Sequence, residues 1–201
     1  MEVTAMHFRR KATEKLNDEN LQQALKKLQS RFVDSRATAL AELPNFTEIR
    51  DAAADIRERA VSHLDSYLLR FEREATARGA VVHWAEDIED ANRLVVEISR
   101  LHGVRKVVKS KSMVTEECGL NDYLASVGVE VLETDLGEYI LQLAHEPPSH
   151  IVAPVVHKSK EEIADLFEEK HRRPRTTDIA GMCREAREVL RPGFLSADMG
   201  I

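Results

Sequence analysis

The stretch KSKSMVTEECGLNDY, residues 109–123, sets two lysines and two serines directly after the apolar pair Val107 and Val108 and just before an acidic helix start. Between a strand and a helix N-terminus, ammonium groups, hydroxyls and free backbone N–H groups can hold a carboxylate or a phosphate. The same residues fit a second arrangement, in which Lys109 or Lys111 pairs with Glu133 or Asp135 across neighbouring strand ends while Ser112 or Thr115 caps the helix. The stretch ETDLGEY, residues 133–139, is equally double. Asp135 with Glu138 fits a capping box, whereas Glu133 and Thr134, an acid and a hydroxyl facing a lysine pair, can orient a polar ligand. His157 follows the apolar run IVAPVV at a third strand end. The candidate site is therefore Lys109, Lys111 and Ser112 as anion holders, Glu133 and Thr134 as orienting groups and His157 as a proton carrier, with no catalytic residue assigned.

Other chemistries find less support. HEPPSH places His145 and His150 five apart around two prolines, which forbids the i,i+4 helical pair of a zinc-protease motif. Cys118 and Cys183 are the only cysteines, so no disulfide framework and no C-x-x-C metal site can be read. A cysteine-ligated iron–sulfur cluster takes about four thiolates, more than this chain holds. Glycine-rich dinucleotide and nucleoside-triphosphate loops and the G-x-S-x-G nucleophile elbow are missing.

Strand ends act as a site only where strands lie side by side. Residues 16–79 read as helical, with Leu21, Leu25, Leu28 and Phe32 on one stripe and Ile56, Ala60, Leu64, Leu68, Phe71 and Ala75 on another. Pro44 separates the two, Asn45 with Glu48 suggests a capping box, and Gly79 a helix end. After Gly79, short β-branched runs alternate with amphipathic stretches: AVVHWA, a helix near 87–102, VRKVVKS, a helix near 116–127, VEVLET, a helix near 136–144, HIVAPVV, and helices near 159–171 and 177–190. Alternation of this kind predicts βαβ units, hence an α/β fold with a mostly parallel sheet and flanking helices, preceded by a helical segment. The boundaries fall at 1–79 for the helical segment and 80–201 for the α/β domain. Ligands gather at the carboxyl ends of such strands.

With 201 residues the chain is long enough to bury a core without metal or disulfide staples. Its 35 acids against 29 bases give a net charge of −6, which argues against nucleic acid or an anionic membrane as partner. The basic run KHRRPR fits the end of a helix, where cations complement exposed carbonyls. No stretch approaches the roughly 20 apolar residues of a membrane span, and the expected location is the cytoplasm.

The segment from Lys109 to His157, with its lysine–serine loop, ETDLGEYI and PSHIVAP in order, resembles the lactate-utilisation iron–sulfur protein family, the B component of a bacterial operon for growth on L-lactate. The likeness runs from about HFRRKATEKLNDENLQQAL to Ile201. It implies a cytoplasmic part in oxidising L-lactate to pyruvate, other operon proteins as partners, and a fold like that of ribose-phosphate isomerases and CoA transferases. Members of that family are more than twice as long and carry their cluster cysteines in a later region. The resemblance thus places iron–sulfur clusters outside these residues and leaves no cofactor for this chain. A domain cut short exposes a sheet edge or an apolar helix face, so a homo-oligomer is expected. Two other functions stay open: a self-sufficient sugar-phosphate isomerase or acyl-CoA transferase using Glu133, and a non-catalytic assembly subunit.

Overall fold

The computed structural model describes residues 7–150 and 153–201. Contacts divide the chain into two compact units, one of Met1–Leu28 with Glu86–Ile201, the other of Gln29–Ala85.

In the first unit a three-stranded parallel sheet has the order β2-β1-β3, from β1 (Lys106–Lys109), β2 (Glu130–Glu133) and β3 (Met199–Gly200). The register pairs Val107 with Val131 and Lys109 with Glu133, so both charged residues end adjacent strands. Side chains alternate across a strand. Val107 and Val131 therefore face one way, into a core with Val96 of α5 (Ile88–Leu101) and with Leu120 and Leu124 of α7 (Leu120–Ser126). Leu132 faces the other way, against Gly193 of α10 (Ile179–Ser196), where a Cβ would collide with the leucine methyl. A second core lies among three helices, with Ile140 from α8 (Leu136–Ala144), Ala164 and Phe167 from α9 (Lys160–His171), and Met182 and Ala186 from α10.

The α/β class with flanking helices and a parallel sheet is as the alternation predicts. β1, β2, α5, α8 and α9 lie where the periodicity puts them, and Ser159 and Glu162 form a complete capping box on α9. Several local expectations are corrected. AVVHWA is not a strand; it has no β-partner, Val81 is 78% exposed, and the Trp84 indole donates to Glu72 at 2.9 Å. In HIVAPVV, residues 151 and 152 lie outside the described residues, and Pro154–His157 form a turn closed by Ser149, whose backbone N–H and hydroxyl both donate to the Pro154 carbonyl. The helix expected at 116–127 is two, α6 (Met113–Glu117) and α7, because Gly119 takes φ +62° between them. Asn45 precedes a helix but makes no side-chain capping bond. The last helix runs on through Pro192 to Ser196, and β3 beyond it was not anticipated.

The first unit also holds α1 (Phe8–Leu16), whereas the second holds most of α2 (Glu19–Ala41) together with α3 (Phe46–Ser62) and α4 (Leu64–Ala77), the last two parted by His63 alone. Gly79, at φ +89°, follows α4 where a left-handed backbone ends the helix. The basic run 170–175 does more than cap: Arg173 pairs with Glu188 at 2.6 Å and Arg175 with Asp165 at 2.5 Å, joining α9, α10 and the loop between them.

Candidate functional site

Lys109 is the last residue of β1 and its side chain is fully buried. Its ammonium lies 2.7 Å from Glu133 Oε1 and 3.2 Å from Glu116 Oε1. Glu133 Oε1 also accepts from Asn121 Nδ2 of α7 at 2.6 Å. Removing a charge from water costs several kcal/mol unless partners and hydrogen bonds replace the solvent, and two carboxylates do so here. The Gln142 side chain finishes the outer edge of β2, its amide donating to the Val131 carbonyl at 2.7 Å and its oxygen accepting from the Glu133 N–H at 3.0 Å. Thr134 donates both its backbone N–H and its hydroxyl to the Lys109 carbonyl, each at 2.9 Å, and so locks the two strand ends together.

A second ion pair sits beyond the strand ends. Lys111, 30% exposed, meets Glu138 Oε1 at 2.7 Å. Ser112 caps α6, accepting from the Thr115 N–H at 3.3 Å. Asp135 caps α8 by accepting from the Gly137 N–H at 3.0 Å. Burial, and then the neighbouring Asp135 carboxyl, push the Glu138 acid above its ordinary value in spite of Lys111. Asp135 moves the other way, lowered first by its hydrogen bond with Glu138 and then by the backbone N–H groups of α8 and by Lys111. Glu138 Oε2 is buried with no hydrogen-bond partner among the described residues.

These shifts set a pH dependence. Asp135 adds stability above its ordinary value of 3.8, lost as the pH falls through its lower folded value. Glu138 has the opposite sign: the native state binds its proton more tightly, so stability declines as the pH rises from 4.5 through the raised value. Urea unfolding from pH 4 to 8 should therefore show the stability of Glu138→Gln gaining on wild type as the pH rises above 4.5. Parallel curves would contradict the assignment.

The structure thus brings Lys109, Lys111, Ser112, Glu133 and Thr134 to one end of the sheet. The partners of His157 lie elsewhere. Its ring bridges Ser149 Oγ at 2.7 Å and Glu146 Oε2 at 2.8 Å, and Glu146 also takes Lys158 at 2.7 Å. Burial raises the Glu146 carboxyl, but the hydrogen bonds from Lys158 and His157 outweigh it and leave the group below its ordinary value. An ionised Glu146 only accepts, so His157 Nε2 carries a hydrogen toward it. The set resembles a serine–histidine–carboxylate relay in order, yet the Ser149 hydroxyl rests on the Pro154 carbonyl and the whole ties the end of α8 to the start of α9.

The lysine–carboxylate pairing was one of the two arrangements the residue types allowed. Asn121 and Gln142 were missed; Gln142 stands one turn after Glu138 on α8, a spacing that marks a shared face. Also missed was a buried link across three helices, in which His171 of α9 joins Tyr139 of α8 at 2.9 Å and Glu185 of α10 at 2.8 Å.

Two comparisons identify the family. The family model described as LUD domain matches residues 68–201. The chain belongs to the LUD-domain family. Over all of its length it is 42% identical to "Lactate utilization protein B" of Shouchella clausii and 41% identical to the protein of that name in Bacillus velezensis. It is 40% identical, over 96% of its length, to "Uncharacterized electron transport protein YkgF" of Escherichia coli. The chain spans only 41–42% of the length of these curated relatives. No solved structure matches it.

The donor set of this LUD domain does not fit a cysteine-ligated iron–sulfur cluster. Its two thiols are free, Cys118 closing α6 and Cys183 lying on α10. Among the described residues no three histidine, cysteine, aspartate or glutamate side chains converge as metal ligands. None of the described helices is long and apolar enough to cross a membrane.

Proposed function

We propose that this chain supplies the LUD-domain part of a lactate-utilisation protein of the B type. It works in the cytoplasm, self-associates, and acts with other operon proteins in oxidising L-lactate to pyruvate. Electrons leave through iron–sulfur centres outside these 201 residues. The observation that carries this reading is identity of about 40% along the whole chain to proteins named for lactate utilisation. The experiment is growth of a strain deleted for the coding gene. It should fail on L-lactate and grow normally on pyruvate; undiminished growth on L-lactate overturns the reading.

Within that role the strand ends form a small-anion or partner-binding site, and Lys111 is its ligand-facing cation. Lys109 is fully buried between two carboxylates, whereas Lys111 has open surface and a single partner. That partner, Glu138, is the carboxyl whose protonation is made easier by burial and by Asp135. An incoming carboxylate takes the place of Glu138 on Lys111 as Glu138 gains a proton. Titration calorimetry with L-lactate, pyruvate and phosphate should show binding that is tighter at pH 5.5 than at pH 7.5. In Lys111→Ala the affinity should drop at least tenfold, the loss of about 1.4 kcal/mol expected for one charged contact. Unchanged affinity in that variant removes the anion site, and binding of operon proteins without any small ligand favours the assembly-subunit role.

A further inference from the structure

Three buried side-chain oxygens have no hydrogen-bond partner among the described residues: Asn121 Oδ1, Glu133 Oε2 and Glu138 Oε2. All three are acceptors, and all three belong to the cluster where β1 and β2 end. Asn121 Nδ2 donates to Glu133 Oε1 at 2.6 Å and Glu138 Oε1 holds Lys111 at 2.7 Å, so each orphaned oxygen sits on a side chain already fixed through its other atom. Glu133 is 2% exposed and Glu138 7%. A buried acceptor that meets no donor carries the full cost of its lost hydration. The strand ends thus call for donors. The charge there leans the same way, since the ammonium groups of Lys109 and Lys111 face the four carboxyls of Glu116, Glu133, Asp135 and Glu138.

We infer that the ligand of this site is a short carboxylate with a hydrogen-bond donor, a hydroxyl or an ammonium, on the neighbouring carbon, and that it enters between Lys111 and Glu138. The two oxygens of one carboxylate adjoin, so Glu138 Oε2 lies one carboxylate width from the Lys111 contact. A 2-hydroxy or 2-amino acid likewise carries its donor next to its carboxylate. Laid between the two side chains, such a ligand gives its carboxylate to Lys111 and its donor to Glu138, and each half of the ion pair keeps a partner. A plain or 2-oxo carboxylate takes Lys111 and returns nothing, leaving Glu138 buried with an acceptor oxygen and no donor on it. Its neighbour Asp135, an ionised carboxylate, has no donor to offer. Sites that bond a ligand hydroxyl reject analogues lacking it for this reason.

This inference rests on the proposed anion site and adds what that site selects. Titration calorimetry at pH 5.5 compares L-lactate and L-alanine with propionate and pyruvate, small acids of one carbon count. At least one of the first two should bind roughly tenfold or more tighter than both of the last two. L-Lactate in the lead names the hydroxyl as the donor, and L-alanine in the lead names the ammonium. In Glu138→Met, its fold checked by circular dichroism, the preference should fall toward unity, whereas a damaged fold would weaken all four acids together. The wild-type comparison stands without the variant. Equal affinities in the wild type overturn the inference, leave the anion site standing and assign the three oxygens to solvent. A preference undiminished in folded Glu138→Met overturns it as well, since the donor then goes elsewhere. If none of the four acids binds, the anion site itself falls and the inference with it.

Discussion

Lys109→Met should lower the free energy of unfolding by about 3–5 kcal/mol, the cost of leaving a buried carboxylate without its counter-charge. Glu133 is 2% exposed, and Asn121 would then be the one donor left to its side chain. The double variant Lys109→Met/Glu133→Leu should recover much of the loss, since a buried ion pair replaced by apolar side chains of similar volume is often neutral. Recovery falls short of complete because the Asn121 amide loses its acceptor. Chemical denaturation of the wild type, both single variants and the double variant reads the coupling directly. A cost near zero for Lys109→Met would show that its ammonium reaches water.

His171→Ala should be the next most damaging change, at about 3 kcal/mol. The imidazole is almost fully buried and joins Glu185 to the Tyr139 hydroxyl. Its ring also stacks on Tyr139 and lies 4.4 Å, centroid to centroid, from Phe167. Truncation opens a cavity and strands the buried Tyr139 hydroxyl and the partly buried Glu185 carboxylate at once. Tyr139→Phe removes a single hydroxyl and should cost only about 1 kcal/mol. The cost of Tyr139→Phe/His171→Ala should be smaller than the sum of the two single costs, because both variants break one network. Thermal unfolding of the three proteins checks the order. Strict additivity would separate the hydroxyl from the imidazole.

Much of this architecture is legible in the sequence, for reasons that differ by element. β1 and β2 are β-branched runs bounded by charge, and α8 and α9 open on caps whose side-chain chemistry is local. The failures are equally physical. AVVHWA has strand composition but no neighbour to pair with, and strand pairing is a tertiary fact. APVVH reads as apolar and extended, yet Ser149 captures the Pro154 carbonyl and bends it into a turn. β3 is two residues long and depends on β1, with Asp198 accepting from the backbone N–H groups of Arg105 and Lys106 to start the pairing. At the strand ends, residue types named the participants without saying who meets whom. The register that sets Lys109 on Glu133 and leaves Lys111 to Glu138 comes only from the folded sheet. His157 was grouped with them by its supposed strand, and the turn gives it to Glu146 instead.

Nitrogen-15 NMR of the lysine ammonium groups reads whether the parallel ends of β1 and β2 bury Lys109 against Glu133. A slowly exchanging ammonium resonance near neutral pH, assigned to Lys109 and lost in Glu133→Gln, is expected. If every lysine ammonium exchanges at the rate of a solvated side chain, the strand ends do not meet in this way.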